Sequence, residues 1–263
     1  MSEEPSRTPR LIEPDEFRSW ILFEDDRLLV VNKSGDAVCH PSKHGPWSSL
    51  VGAARAHLQL PTVHLIFRLD RETSGVVVLA KDARTASRLQ RAMQRRLVRK
   101  VYLAVLEGVL AAPVTVDQAL GPDLDSCVTI RTTAVAAGTP GAQAAVTHFE
   151  PLATGGGCTL ARVRPETGRK HQIRAHALWL QHPVVGDKLY GPDQRLYLEF
   201  ALHGWTDRHA ARLPLRRQAL HCAAIDLTAA GEAAVFRAPL PEDLRSFCRE
   251  RLGVDATNIP MSM

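Results

Sequence analysis

Residues 64–75 read HLIFRLDRETSG and run straight into VVVLA at 76–80. An apolar stretch breaks at Arg68-Leu69-Asp70-Arg71-Glu72, turns at Thr73-Ser74-Gly75, and resumes. The second run is short and β-branched, as a buried strand should be. Charges set between two buried segments cost free energy unless they are paired or used. Arg68 and Asp70, two apart in an extended segment, point to the same side. Two readings stand: an ion pair closing a strand end, or a carboxylate held by the T-S-G turn at the mouth of a buried strand.

The flanking sequence alternates strands and helices. WILFEDDRLLVVNKSGDAVCHP (20–41) is strand, turn, strand and loop, and SSLVGAARAHLQL (48–60) is a helix capped by Ser48 or Ser49 and closed by Pro61. DARTASRLQRAMQRRLV (82–98) is a helix capped by Asp82, with an apolar stripe at Ala86, Leu89, Met93 and Leu97. Arg84, Arg88, Arg91, Arg95 and Arg99 step by three or four and form a second stripe. KVYLAVLEGVL (100–110) and GCTLARVRP (157–165) are strands, and 109–145 reads as hairpins and loops. ETGRKHQIRAHALWLQHP (166–183) turns into a helix that Pro183 ends. Helical residues at 197–204, strands at ALHCAAIDL and AAVFRAP, and a last helix at PEDLRSFCRERL complete the chain. Short turns between sequential strands imply a mixed, largely antiparallel sheet flanked by helices, an α/β domain of the α+β type. It is expected to span 19–252, after a disordered lead at 1–18 and before a tail at 253–263.

Composition removes several function classes. No apolar run is long enough to cross a bilayer, and the polar start lacks the apolar middle of a signal peptide. The five cysteines are scattered with no C-x-x-C, which fits a reducing, cytoplasmic setting rather than a disulfide framework or a zinc ribbon. His171 and His176 are five apart and do not stack on a helix, so no metal site is expected. Walker, G-x-G-x-x-G and G-x-S-x-G patterns are missing. A net charge of +5 and a pI near 9.1 point to a polyanionic partner.

The remaining chemistry lies in Asp70 and in TGRKHQIRAH (167–176). From His171 onward a helix would put His171, Arg174, Leu178 and Gln181 on one face and Ile173, Ala177 and Leu180 on another. Arg174 would then sit beside apolar residues, and a buried carboxylate needs such a cation to stay ionised. Asp70 is the best catalytic candidate; a carboxylate can act as a covalent nucleophile on a sugar, but the residues alone leave its route open. A glycosidase would need a second positioned acid, and no motif supplies one.

With these residues in hand the chain resembles the RluA family of pseudouridine synthases. FEDDRLLVVNKSGDAVCHP, FRLDRETSGVVVLAKD, RKVYLAVLEG, TGRKHQIRAHALWLQHPVVGDKLYG, RQALHCAAIDL and APLPEDL resemble its motifs, in order, over most of residues 21–245. Ser34 stands where the family usually has proline and Phe67 where it usually has histidine. The lead before Trp20 is too short for the S4-type domain of many relatives, so the resemblance is to the shorter members.

The resemblance implies a pseudouridine synthase fold and an enzyme that isomerises uridine to pseudouridine in ribosomal or transfer RNA. It implies no metal or redox cofactor, which agrees with the missing cofactor motifs. It implies Asp70 as the catalytic carboxylate, Tyr102 as a ring that holds uracil and assists loss of the C5 proton, and Arg174 as the partner of the Asp. Arg68 would fill the space of a flipped base, and Arg169 and His171 would contact substrate. Arg88, Arg91 and Arg95 would meet backbone phosphates, or merely face water. A non-catalytic RNA-binding or ribosome-assembly protein on the same fold is the alternative. A monomer is the working expectation.

Overall fold

The run after the Arg68–Gly75 break is a strand, Ser74–Ala80, buried at every position. The structure, a computed structural model, describes residues 10–40, 45–232 and 235–259. In chain order it contains α1 (Pro14–Ser19), β1 (Ile21–Glu24), β2 (Leu28–Lys33), α2 (Leu50–Leu58), β3 (His64–Leu65), β4 (Ser74–Ala80) and α3 (Ala83–Gln94). There follow β5 (Arg99–Glu107), β6 (Val114–Asp117), β7 (Leu120–Pro122), β8 (Thr132–Ala134), β9 (Val146–Gly155), β10 (Cys158–Pro165) and α4 (Gln172–Trp179). Last come α5 (Arg195–His203), α6 (Asp207–Arg212), β11 (Leu220–Asp226), β12 (Val235–Arg237) and α7 (Glu242–Phe247). The chain divides into two compact units, Thr8–Lys100 with His221–Leu240, and Val101–Leu220 with Pro241–Pro260.

In the first unit β4 is the central strand. β2 runs antiparallel along its length, from Leu28 opposite Ala80 to Lys33 opposite Gly75. β3 takes the far end of the other edge, at Leu79 and Ala80. β11 takes the near end, parallel, pairing His221 with Ser74 and Cys222 with Gly75. Both edges of β4 are thus bonded, and both its faces are buried, which is why the strand reads as a continuous apolar run instead of an alternating one. Gly75 has φ 114°, and a Cβ there would fall 2.2 Å from the Cys222 carbonyl oxygen, so only glycine fits. In the second unit β5, β10, β9 and β6 form an antiparallel series, with β7 and β8 as a separate hairpin.

Two sequence expectations change. The lead is helical from Pro14, because Phe17 is fully buried and its ring meets those of Trp20, Trp47 and His57. The rest of that lead, 1–9, lies outside the described residues, as do 260–263 of the expected tail. The arginine helix is shorter than its periodicity predicts. Asp82 caps it by accepting from the Thr85 amide at 2.8 Å. It stops at Gln94, where the Leu97 amide donates to Ala92 O and the Arg96 amide to Met93 O, with Arg96 at φ 58°. This is a Schellman closure. Arg95 is therefore the C-cap, and Arg99 begins β5 rather than extending the stripe.

Candidate active site

The loop that carries Asp70 is fixed through its backbone. The Thr73 amide donates to Asp70 O at 3.1 Å. The Lys33 ammonium, fully buried, donates to Arg71 O at 2.9 Å, to Ala37 O at 2.8 Å and to Ser34 O at 2.6 Å. The Cys39 thiol points at Leu69 O, 3.4 Å away. Burial pushes that thiol's pKa up, so it stays a donor. Three successive carbonyls, on Leu69, Asp70 and Arg71, are thus occupied. Leu69 is buried, Asp70 half-buried and Arg68 exposed. Among the described residues Arg68 makes no ion pair, so the strand-end pairing of Arg68 with Asp70 is not formed. An exposed guanidinium beside a half-buried carboxylate is left facing solvent, where a polyanion could reach it.

The segment 167–176 is built inward. Val146 N donates to Thr167 Oγ1, which donates to Gln172 Oε1 at 2.7 Å. Gln172 Nε2 donates to Thr147 Oγ1 and to Val146 O, each at 2.9 Å. His176 donates from Nε2 to Gln118 O at 3.0 Å, so its Nδ1 accepts from Thr147 Oγ1 at 2.8 Å. Burial lowers the His176 pKa and keeps the ring neutral, which this relay requires. Arg174 is buried and clamped by Asp187: Nε to Oδ2 at 2.6 Å and Nη2 to Oδ1 at 2.8 Å. Asp187 Oδ1 also accepts from the amides of Leu189 and Tyr190, at 2.9 and 3.0 Å. Complete burial would raise the Asp187 pKa, but Arg174 and these donors outweigh it and hold the carboxyl below its ordinary range. The Tyr190 ring lies 4.9 Å from Arg174 Cζ. Its hydroxyl meets the Thr132 amide and His171 Nδ1, both at 3.0 Å, and burial raises its pKa.

The other expected residues fall as follows. Tyr102 is buried on β5, opposite Val163. His171 is the N-cap of α4, in a left-handed conformation at φ 53°. Arg169 is exposed, with its Nε donating to Ala144 O at 3.0 Å and its amide to Gln172 Oε1. Arg91 and Arg95 are exposed. Arg88 is half-buried, bonded to Ala230 O at 2.7 Å and paired with Glu232, which Arg27 also holds. Arg99 pairs with Asp226 at 2.6 Å.

Sequence reasoning does not single out Lys33, Asp187, Tyr190 or Gln172. Asp187 and Tyr190 lie in GDKLYG, where Gly186 has φ 74° and a Cβ would fall 2.4 Å from Arg217 O. A glycine forced by close approach, followed by a carboxylate, is the available signal. Among the described residues no group of three or more His, Cys, Asp or Glu could hold a metal, and no helix is long and apolar enough to cross a membrane.

Comparison with known proteins gives a consistent answer. A family model described as RNA pseudouridylate synthase matches residues 27–179. The ribosomal large subunit pseudouridine synthase D of Vibrio vulnificus is 36% identical over 230 residues, covering 85% of this chain and 68% of that protein. The uncharacterized RNA pseudouridine synthase YhcT of Bacillus subtilis is 32% identical over 238 residues, covering 87% and 71%. Among solved structures, human RNA pseudouridylate synthase domain containing 4 superposes with a TM-score of 0.71 at 26% identity, covering 93% of this chain and 97% of the other.

Proposed function

The chain belongs to the RNA pseudouridylate synthase family and is an RNA pseudouridine synthase, an isomerase; from that premise we propose that Asp70, Tyr102 and Arg174 carry its chemistry and that its substrate is ribosomal RNA. The reaction breaks the C1′–N1 bond of uridine, turns the uracil and forms C1′–C5. The C5 proton leaves and N1 gains one, so atoms and electrons balance without an oxidant or a cofactor. Such a reaction needs a carboxylate near the sugar, a ring to hold the detached uracil, and a cation to keep the carboxylate charged. Asp70, Tyr102 and Arg174 are of those types.

The observation that carries the assignment is the fixed loop. Three successive backbone carbonyls, on Leu69, Asp70 and Arg71, are bonded, so the backbone that carries the half-buried Asp70 is fixed just before β4. That is the preorganisation a reacting group requires. Arg68, exposed and unpaired among the described residues, suits a guanidinium that stacks in the place of a flipped base. Arg169 and His171 would contact substrate, and Arg91 and Arg95, with Arg88 in part, would meet phosphates. The ribosomal reading is supported by the relatives whose names specify the large ribosomal subunit. A ribosomal substrate would put the protein in the cytoplasm, where ribosomes are assembled.

Mapping pseudouridines across all RNA, with and without the gene, tests the substrate. The expected result is loss of one or a few sites in large-subunit ribosomal RNA. Loss confined to transfer RNA would overturn the ribosomal assignment.

A further inference from the structure

Three lysines are buried among the described residues, and one differs from the others in its partners. Lys33 donates to three carbonyls. Lys188 donates to Arg216 O and stands over the rings of Phe200 and Trp205. Lys100 is 9% exposed, yet no oxygen of the described residues accepts from its ammonium and no carboxylate pairs with it. The ammonium stands over the face of Phe67, with the nitrogen 5.4 Å from the ring centroid.

An ammonium has three donors and a full charge; that of Lys100 keeps only a narrow access to solvent and no anion of the described residues offsets it. A ring face returns only part of the desolvation cost. Burial accordingly pushes the Lys100 pKa down. The position is also informative. Phe67 is three residues before Asp70, in the fixed loop. Cys222, which interacts electrostatically with Lys100, lies against Gly75 where β4 begins. Lys100 and Tyr102 are two apart on β5 and share a face of the strand. A mostly buried cation that meets no carboxylate of the described residues, set against the loop that carries Asp70, is the arrangement of a group that can take an anionic ligand.

We propose that Lys100 is a phosphate-binding residue of the active site, its ammonium taking a phosphate oxygen of the target nucleotide. This rests on the reading of Asp70 as the catalytic carboxylate, which places the target nucleotide at this loop. A phosphate is favoured over a uracil carbonyl because only an anion offsets the charge as well as the missing hydrogen bonds. Lysine serves that role as a compact point charge.

The test is isothermal titration of uridine 3′,5′-bisphosphate, which carries both phosphates flanking a nucleotide in a chain, against uridine. Wild type, Lys100→Met and Phe67→Leu are compared, with melting temperatures measured alongside. Wild type should bind the bisphosphate at least about tenfold more tightly than uridine. Lys100→Met should lose most of that preference while binding uridine as before. Free Lys100→Met should melt no lower than wild type, because the change removes a mostly buried charge that no anion of the described residues offsets. Phe67→Leu should keep the preference. The proposal is overturned if wild type shows no preference, if Lys100→Met keeps it, or if Lys100→Met melts well below wild type. Titration reads binding alone. A preserved phosphate preference with no pseudouridine formed would therefore unseat the Asp70 reading and leave the Lys100 site standing.

Discussion

The segment 167–176 and the helix α3 are both dense in polar residues at helical spacing, and they do opposite things. In the first, Thr167, Gln172, Arg174 and His176 are buried and bonded to one another's neighbours through Val146, Thr147, Gln118 and Asp187. In the second, Thr85, Ala86, Leu89 and Ala92 are buried while Arg84, Arg91 and Arg95 face solvent. The difference lies in side-chain type. Gln, Thr and neutral His donate and accept, so they can close relays inside a protein; arginine only donates and needs an anion. Arg174 is buried because Asp187 supplies that anion. The α3 arginines, Arg88 apart, turn toward whatever anion arrives from solvent.

Asp187→Asn should have the largest effect on the buried segment. The substitution removes the carboxylate charge that clamps a buried guanidinium and should destabilise the protein by about 3–5 kcal/mol. Chemical denaturation measures it, and a drop below about 1 kcal/mol would show that the pair is dispensable. Acid adds a second reading. The folded pKa of Asp187 is depressed, so its stabilisation is complete above the unfolded value near about 3.9 and is lost as pH falls through the lower folded value. The folded pKa of His176 is depressed too, so its share begins to fall below about 6.5, where the unfolded ring takes up a proton. Wild type should therefore weaken in two stages on acidification, and Asp187→Asn should lack the lower one.

A smaller effect is expected at Gln172→Ala. It removes one side chain with four hydrogen bonds and leaves Thr167 and Thr147 short of partners, at a cost of about 1–3 kcal/mol. A melting temperature equal to wild type would mean that water replaces the amide. The smallest effect on the protein itself is expected from replacing Arg84, Arg91 and Arg95 together with Gln. Stability should stay within about 0.5 kcal/mol. The slope of RNA affinity against salt should fall by about 1 for each phosphate that the helix no longer engages. An unchanged slope would make α3 a solvated face and put the RNA elsewhere.

The parts legible in the sequence are those where one local rule acts alone. β4 is readable because a strand buried on both faces must be apolar at every position, and α3 begins where Asp82 can cap it. The helix end at Gln94 is not readable, since nothing in QRRLV marks Arg96 as the residue that turns left-handed. β9 escapes for a different reason: VTHFEPLATG carries a proline inside a strand that has neighbours on both sides. The register shifts there, with Leu160 opposite Ala153 and Ala161 opposite Pro151, so the proline sits at an irregularity that tolerates it. The ordered motifs identify the family. They do not show that Arg174 is clamped by Asp187, because that pair joins residues 13 apart across a turn.

If this RNA pseudouridine synthase acts through Asp70, the chemistry must fail when that one charge is removed. The direct test is to incubate purified wild type and Asp70→Asn with protein-free large-subunit ribosomal RNA, measuring pseudouridine formed and RNA affinity on the same preparations. The amide keeps the shape of the side chain and removes its charge. Both proteins should bind the RNA with similar affinity, wild type should form pseudouridine, and Asp70→Asn should form none. Pseudouridine formed by Asp70→Asn at the wild-type rate would show that the reaction does not run through this carboxylate.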